Sequence, residues 1–225
     1  MNKNRKESSL HRALKIEYAK LEERTEQIIG NYICDGVTDS GELIEVQTGS
    51  FGPLREKIQT LTEKYPLRII HPVIIQKTIE LHSQDGTLLH RRKSPKKGTP
   101  WDLFNYLLNA PLLPLTEGLT IELVMVDIIE LRTMDGKGSW RRKGISIQDK
   151  ILEHYYYAIL LKGLNDYYQF VPCILTGEFT VKDLSAQAGI SVSLAQKTLY
   201  VLSRLNIVEK IRKIKAAWSY SLKKG

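Results

Sequence analysis

Apolar positions along the chain change period several times, and each change marks an element. From Leu10 to Lys20 the spacing is helical, with Leu10, Ala13, Leu14 and Glu17 on one face. Ser8 or Ser9 is placed to cap this helix. The segment from Tyr32 to Thr48 reads as a strand ending at Asp35, a polar turn, and a second strand from Leu43. In that second strand Ile44 and Val46 point one way, and Glu45 and Gln47 the other. Gly49-Ser-Phe-Gly-Pro53 then turns the chain into a helix, with Pro53 in its first turn and Leu54, Ile58 and Leu61 as its stripe.

The middle of the chain predicts the remainder of a mixed sheet. Leu67 to Ile75 is rich in isoleucine and valine, and Gln84-Asp-Gly-Thr87 between two short strands is a hairpin signal. Thr99-Pro100 opens a helix containing Trp101, Leu103, Phe104, Leu107 and Leu108. Leu119 to Arg132 is a long strand pattern, followed by a turn at Asp135-Gly-Lys-Gly138. Ser146 to Leu161 predicts a helix, with Ile147, Ile151, Leu152, Tyr155, Ile159 and Leu160 as its apolar set. Beyond it, Thr180 caps a short helix that Gly189 ends, and Ser191 or Ser193 caps a second helix running to Leu205. Two helices joined by a glycine-containing turn form a helix-turn-helix pattern, and Ile207–Ile214 and Trp218–Leu222 add two strands.

Composition narrows the classes. The chain has 225 residues, 42% of them hydrophobic, enough for a true core in one large or two small domains. A formal net charge of +8 favours an anionic partner such as nucleic acid. The two cysteines, Cys34 and Cys173, lack zinc-ligand spacing and fit a reducing, cytoplasmic setting. No apolar run reaches the ~20 residues of a membrane helix, and the basic N-terminus is not followed by a signal core.

The candidate chemistry lies in the first strand pair. A hairpin brings Asp35 close to Glu45, and two converging carboxylates repel each other unless a cation sits between them. Hard oxygen ligands suit Mg2+, with Mn2+ as a substitute. The strand ending in Asp35 and the Glu45-x-Gln47 strand after it resemble the PD-(D/E)XK nuclease superfamily, with glutamine in place of the motif lysine. The resemblance implies a restriction-endonuclease-like α/β core with a mixed sheet over residues 1–145. It also implies a metal held by Glu17, Asp35 and Glu45, with Gln47 orienting water or touching phosphate. The opposing reading of Glu17 is a solvated residue at the stripe's edge. Asp39 is a reserve ligand. Of Lys57 and Arg55 on the following helix, one could stand in for the missing motif lysine, and the favoured reading is that both are ordinary surface charge.

Two turns carry an Arg-Arg-Lys run. One supplies Arg91, Arg92, Lys93, Lys96 and Lys97, and the other Trp140, Arg141, Arg142 and Lys143. Exposed flexible cations suit phosphates, and Trp140 can stack on a base. Charged loops also blunt sheet edges. Residues 146–225 resemble an α+β winged helix-turn-helix domain. The resemblance places Ser191, Ser193, Gln196, Lys197 and Tyr200 toward a major groove, with Lys213 and Lys215 on a wing. From Lys182 onward nine Lys/Arg stand against two acidic residues, a net of +7. The whole layout, from Glu-x-Gln-Thr-Gly-Ser through Trp-Arg-Arg-Lys-Gly to the winged helix, resembles one bacterial protein family.

These readings lead to a metal-dependent nuclease positioned by a winged helix, with DNA favoured over RNA and a homodimer as one possible state. The alternatives are a non-catalytic DNA-binding protein, such as a transcription regulator or an inactive nuclease-fold scaffold, and an adaptor that uses the winged helix to dimerise.

Overall fold

The computed structural model describes residues 7–214 and 216–223. Helix α1 (Ser9–Ala19) starts at Ser8, whose hydroxyl accepts the His11 N–H, and ends at Lys20 in a left-handed conformation. A hairpin of β1 (Thr25–Ile29) and β2 (Tyr32–Val37) follows, then the short β3 (Leu43–Val46) and α2 (Arg55–Thr62). Next come two 16-residue strands, β4 (Leu67–His82) and β6 (Leu119–Met134), with β5 (Leu88–Lys93) and the short α3 (Leu103–Leu107) between them.

The segment expected to be a helix from Ser146 is a strand, β7 (Ile145–Leu161), antiparallel to β6 along its whole length. Three register shifts interrupt this pairing. Each bulge inserts an unpaired residue and breaks the two-residue alternation. That is why Ile147, Ile151, Leu152, Tyr155 and Ile159 imitate a helical stripe. The expected division at residue 145 therefore falls at the mouth of the β6–β7 hairpin, and the main sheet continues to Leu161.

The mixed sheet has seven strands, ordered β1-β2-β3-β4-β6-β7, with β5 on β4. Strand β4 runs parallel to β3 over Leu67–Ile70 and antiparallel to β5 over Thr78–His82. Alternation sends successive residues to opposite faces. Ile44, Val46, Ile70, Val124, Val126 and Ile128 meet Leu10 and Leu14 of α1. On the other face Leu43, Ile69 and Leu123 join Ile58 of α2 and Phe104 of α3.

After Leu161 the chain forms β8 (Phe179–Thr180), α4 (Val181–Ala188), α5 (Val192–Arg204), β9 (Val208–Ile214) and β10 (Ala217–Leu222). The two helices and the β8-β10-β9 sheet match the expected order of elements. Thr180 and Asp183 cap α4 reciprocally, and Gly189 closes it with a positive φ. This unit shares one apolar core with the main sheet. Phe170 meets Phe104 edge to face at 4.8 Å, and Leu199 and Leu202 belong to the same cluster.

Candidate functional site: a carboxylate fork between two helices

Strands β2 and β3 pair only at Gly36–Ile44 and Val37–Leu43, then part. Asp35 and Glu45 stand at the fork. The Val46 N–H, left without a strand partner on that side, donates to Asp35 Oδ2 at 2.8 Å. A side-chain carboxylate thus replaces a rung of the ladder. The expected proximity of Asp35 and Glu45 is present, and their charges act on each other.

Helix α1 presents His11 and Lys15, one turn apart, to Asp35. His11 Nε2 lies 2.8 Å from the Val46 carbonyl and 3.4 Å from Asp35 Oδ2, and its Nδ1 lies 2.5 Å from Glu7. Both ring nitrogens face oxygen, so both donate and the ring is an imidazolium. Burial opposes that charge, but Asp35, Glu7 and the Val46 carbonyl outweigh it and raise the pKa to about 9. Lys15, only 5% exposed, reaches Glu7 at 3.0 Å, Glu26 at 2.9 Å and Asp35 at 3.6 Å. Burial works to raise the pKa of Asp35, and the His11 contact, the Val46 N–H and Lys15 together hold it below the usual carboxylate range.

Glu45 faces α2. Lys57 Nζ forms a short ion pair with it and donates to the Ile33 carbonyl at 2.7 Å. Both side chains are largely buried. Desolvation and the neighbouring Asp35 still raise the Glu45 pKa, with Lys57 offsetting part of the rise. Lys57 is therefore not ordinary surface charge. The motif position expected to carry lysine holds Gln47, and the cation arrives from the next helix instead.

Glu17 is a correction. It is exposed on α1 and paired with Lys20 at 2.8 Å, away from the fork. The inward face of α1 is Leu10, Leu14, Lys15 and Ala19, with His11 and Tyr18 beside it, so Glu17 falls outside it. Gln47 differs from its expected role as well. Its amide donates to the Ser50 carbonyl at 3.1 Å and accepts the Gly49 N–H at 3.3 Å, which ties down its own loop. Asp39 is held by Arg24. Among the described residues no three His, Cys, Asp or Glu side chains form a metal cluster. The hard donors at the fork are the Asp35 and Glu45 carboxylates; the Val46 carbonyl is already taken by the His11 imidazolium. That set fits a Mg2+ ion, which takes one or two carboxylates and completes its shell with water and phosphate.

The angle of α1 is fixed by a network that the sequence pattern did not single out. Buried Glu122 accepts from the Tyr18 hydroxyl at 2.5 Å and from Arg68 at 2.8 Å, and Arg68 also reaches Glu42 at 2.6 Å. It joins α1, β4 and β6 to the turn before β3, and so holds His11 and Lys15 over Asp35.

The predicted basic positions are spread over three places. Strand β5 is exposed throughout; Arg91 approaches Glu80 at 3.4 Å and Glu153 at 3.8 Å. Arg92, Lys93, Lys96 and Lys97 are exposed and make no ion pair with any described residue. Trp140 is 83% exposed with Arg141 over its ring, Arg142 donates to the Ile145 carbonyl, and Lys143 closes the turn. On α5, Ser193, Gln196 and Tyr200 are exposed, and Ser191 serves as the cap. Lys197 is half-buried and donates to Asn105 at 2.7 Å. Lys213 stands over Trp218, and Lys215 lies outside the described residues.

Comparison with known proteins gives a family match covering the main sheet. A family model described as "Domain of unknown function (DUF8091)" matches residues 8–162. An uncharacterized protein of Treponema pallidum (strain Nichols) is 32% identical over 149 residues, 66% of this chain and 59% of its own length. The chain thus spans less than two thirds of that relative. No solved structure matches. No helix among the described residues is long and apolar enough to cross a membrane.

Proposed function

The chain belongs to the DUF8091 family, and from that premise we propose that it is a metal-dependent phosphodiesterase acting on nucleic acid, DNA before RNA, in the cytoplasm. The observation that carries this reading is the Lys57–Glu45 ion pair, which supplies from α2 the cation missing at Gln47. In this reading the α/β unit is a restriction-endonuclease-like core, and α4, α5 and the β9–β10 hairpin are a winged helix-turn-helix.

Asp35 and Glu45 would hold Mg2+ or Mn2+, which when bound activates water and offsets charge on phosphate oxygens. Lys57 Nζ carries one positive charge beside Glu45 and presents it to a phosphate entering the fork. Such a preorganised cation stabilises negative charge that grows during reaction. His11 holds a proton on Nε2 between Asp35 and the Val46 carbonyl, which keeps Asp35 ionised and in place. Glu45, raised by burial and by Asp35, is the carboxylate most relieved by an added cation.

A second reading is a non-catalytic nucleic-acid-binding protein. It is favoured by the saturation of Asp35, which His11 and Lys15 already balance. Incubating the chain with duplex and single-stranded DNA and RNA, with Mg2+, with Mn2+ and with EDTA, separates the two. Metal-dependent cleavage lost in Glu45→Ala supports the first. Binding without cleavage under every condition supports the second.

A further inference from the structure

The loop from Ser94 to Thr99 is pinned across β4. The Gly98 N–H donates to the Ile74 carbonyl at 2.7 Å, and a Cβ at Gly98 would stand 2.5 Å from that oxygen. Only glycine permits this approach. The pinning directs Lys96 and Lys97 toward the start of α5. A cavity of about 300 Å³ lies between them, lined by Lys96, Lys97, Asn105, Ser191, Ser193 and Lys197. It shares Lys96, Asp102 and Asn105 with a second cavity of about 320 Å³, whose floor includes His71 and Tyr106. His71 is neutral, its pKa lowered by burial to about 4, and its Nδ1–H donates to the Gln47 carbonyl at 2.6 Å. The two cavities therefore adjoin across Lys96, Asp102 and Asn105, at the first turn of α5.

Charge in the first cavity is unbalanced. Three lysines face one acid, Asp102, whose oxygens are already taken by the Thr99 N–H at 3.0 Å and the Asn105 amide at 3.1 Å. Lys197 spends one of its three donors on Asn105, a neutral acceptor. Thr99 Oγ, also in the cavity wall, is shielded from solvent and has no hydrogen-bond partner. The positive end of the 13-residue α5 adds to the same field. Several converging donors and no committed acceptor describe a seat for an anion with several oxygens.

We propose that this cavity seats one backbone phosphate of a bound nucleic acid, gripped jointly by Lys96 and Lys97 from the sheet unit and by Ser193 and Lys197 from α5. The two basic regions then act as one contact, not as two independently tethered modules. This rests on the nucleic-acid reading above but not on hydrolysis.

The test is a double-variant cycle on the full chain in EDTA, with binding of a fluorescent duplex followed by anisotropy. K96A/K97A and S193D each weaken binding by roughly tenfold, as expected for a lost charge-assisted contact. Combined, they weaken it by much less than the product of the two effects, because they remove the same phosphate. All three substituted side chains are exposed, and circular dichroism confirms that the variants fold. Fully multiplicative losses, or no loss in either variant, overturn the shared seat. Loss of inorganic phosphate binding in K96A/K97A, with duplex binding unchanged, assigns the cavity to a free anion and also overturns it. Cleavage by a chain that fails this cycle leaves the hydrolytic reading standing. A chain that passes the cycle and cleaves nothing keeps the seat and loses the hydrolytic reading.

Discussion

Lys57 reaches Glu45 from a helix that begins nine residues after the strand carrying the carboxylate. The pair fixes α2 against the fork and places a cation beside the one carboxylate that burial and Asp35 drive toward protonation. Lys57→Ala should reduce metal-dependent cleavage by about 10²–10³-fold, the usual cost of removing one preorganised electrostatic group. Gln47→Lys in that background should not restore it, because the Gln47 amide ties down the loop after β3 and a lysine cannot make both of those bonds. Single-turnover cleavage of both variants checks this. Full rescue by the lysine at 47 would sink the assignment.

Glu45→Ala should abolish cleavage and leave duplex binding equal or slightly stronger, since it removes a negative charge and no phosphate-binding group. It also strands a largely buried ammonium. Stability should therefore fall by about 1–3 kcal/mol, and Lys57→Met added to it should recover part of the loss. Chemical denaturation and anisotropy measure the two effects separately.

Glu17 and Arg68 make a contrasting pair. Glu17→Ala breaks only an exposed contact with Lys20 and should change stability by less than about 1 kcal/mol, with cleavage unaffected. Arg68→Ala leaves Glu122 and Glu42 without their shared partner and should cost about 3–5 kcal/mol. Equal effects in thermal unfolding would mean that α1 is not held by this network.

His11 gives stability a definite pH signature. Its folded pKa of about 9 lies above the unfolded value of about 6.5. A raised cation pKa adds stability that is complete below the unfolded value and is lost as pH climbs through the folded one. The midpoint difference between wild type and His11→Ala should therefore be largest below about pH 6.5 and shrink toward pH 9. Thermal melts of both proteins across that range decide it; a constant difference would mean that the ring is not an imidazolium.

Lys197→Ala with Lys213→Ala should flatten the salt dependence of duplex binding. Each phosphate contact removed lowers the slope of log affinity against log salt by about one unit. An unchanged slope in a folded variant would redirect the C-terminal unit to a protein partner.

Most elements were legible because local rules and tertiary packing agree there. Gly49-Ser-Phe-Gly-Pro53 turns where it should, Thr99 opens its helix, and Asp35 meets Glu45. The failures have specific causes. In α1 the stripe was right at Leu10 and Leu14, but the buried face continues through Lys15 and Ala19, with His11 and Tyr18 beside it, and a polar Lys15 gives no apolar signal to steer the stripe away from Glu17. In β7 three bulges reset the alternation and produced a helical phase. Lys57 was visible as a possible substitute for the motif lysine, but choosing it over plain surface charge depends on where α2 docks, twelve residues from Glu45.

The shared core between the sheet and the C-terminal helices bears on how this architecture can be inherited. The family match ends at residue 162, yet Phe104 and its neighbours on α3 are covered by Phe170 and by α5. Any protein that carries the matched segment with a different tail must therefore supply another lid for α3, or evolve polar residues there. The matched segment and the folding unit in this chain do not coincide.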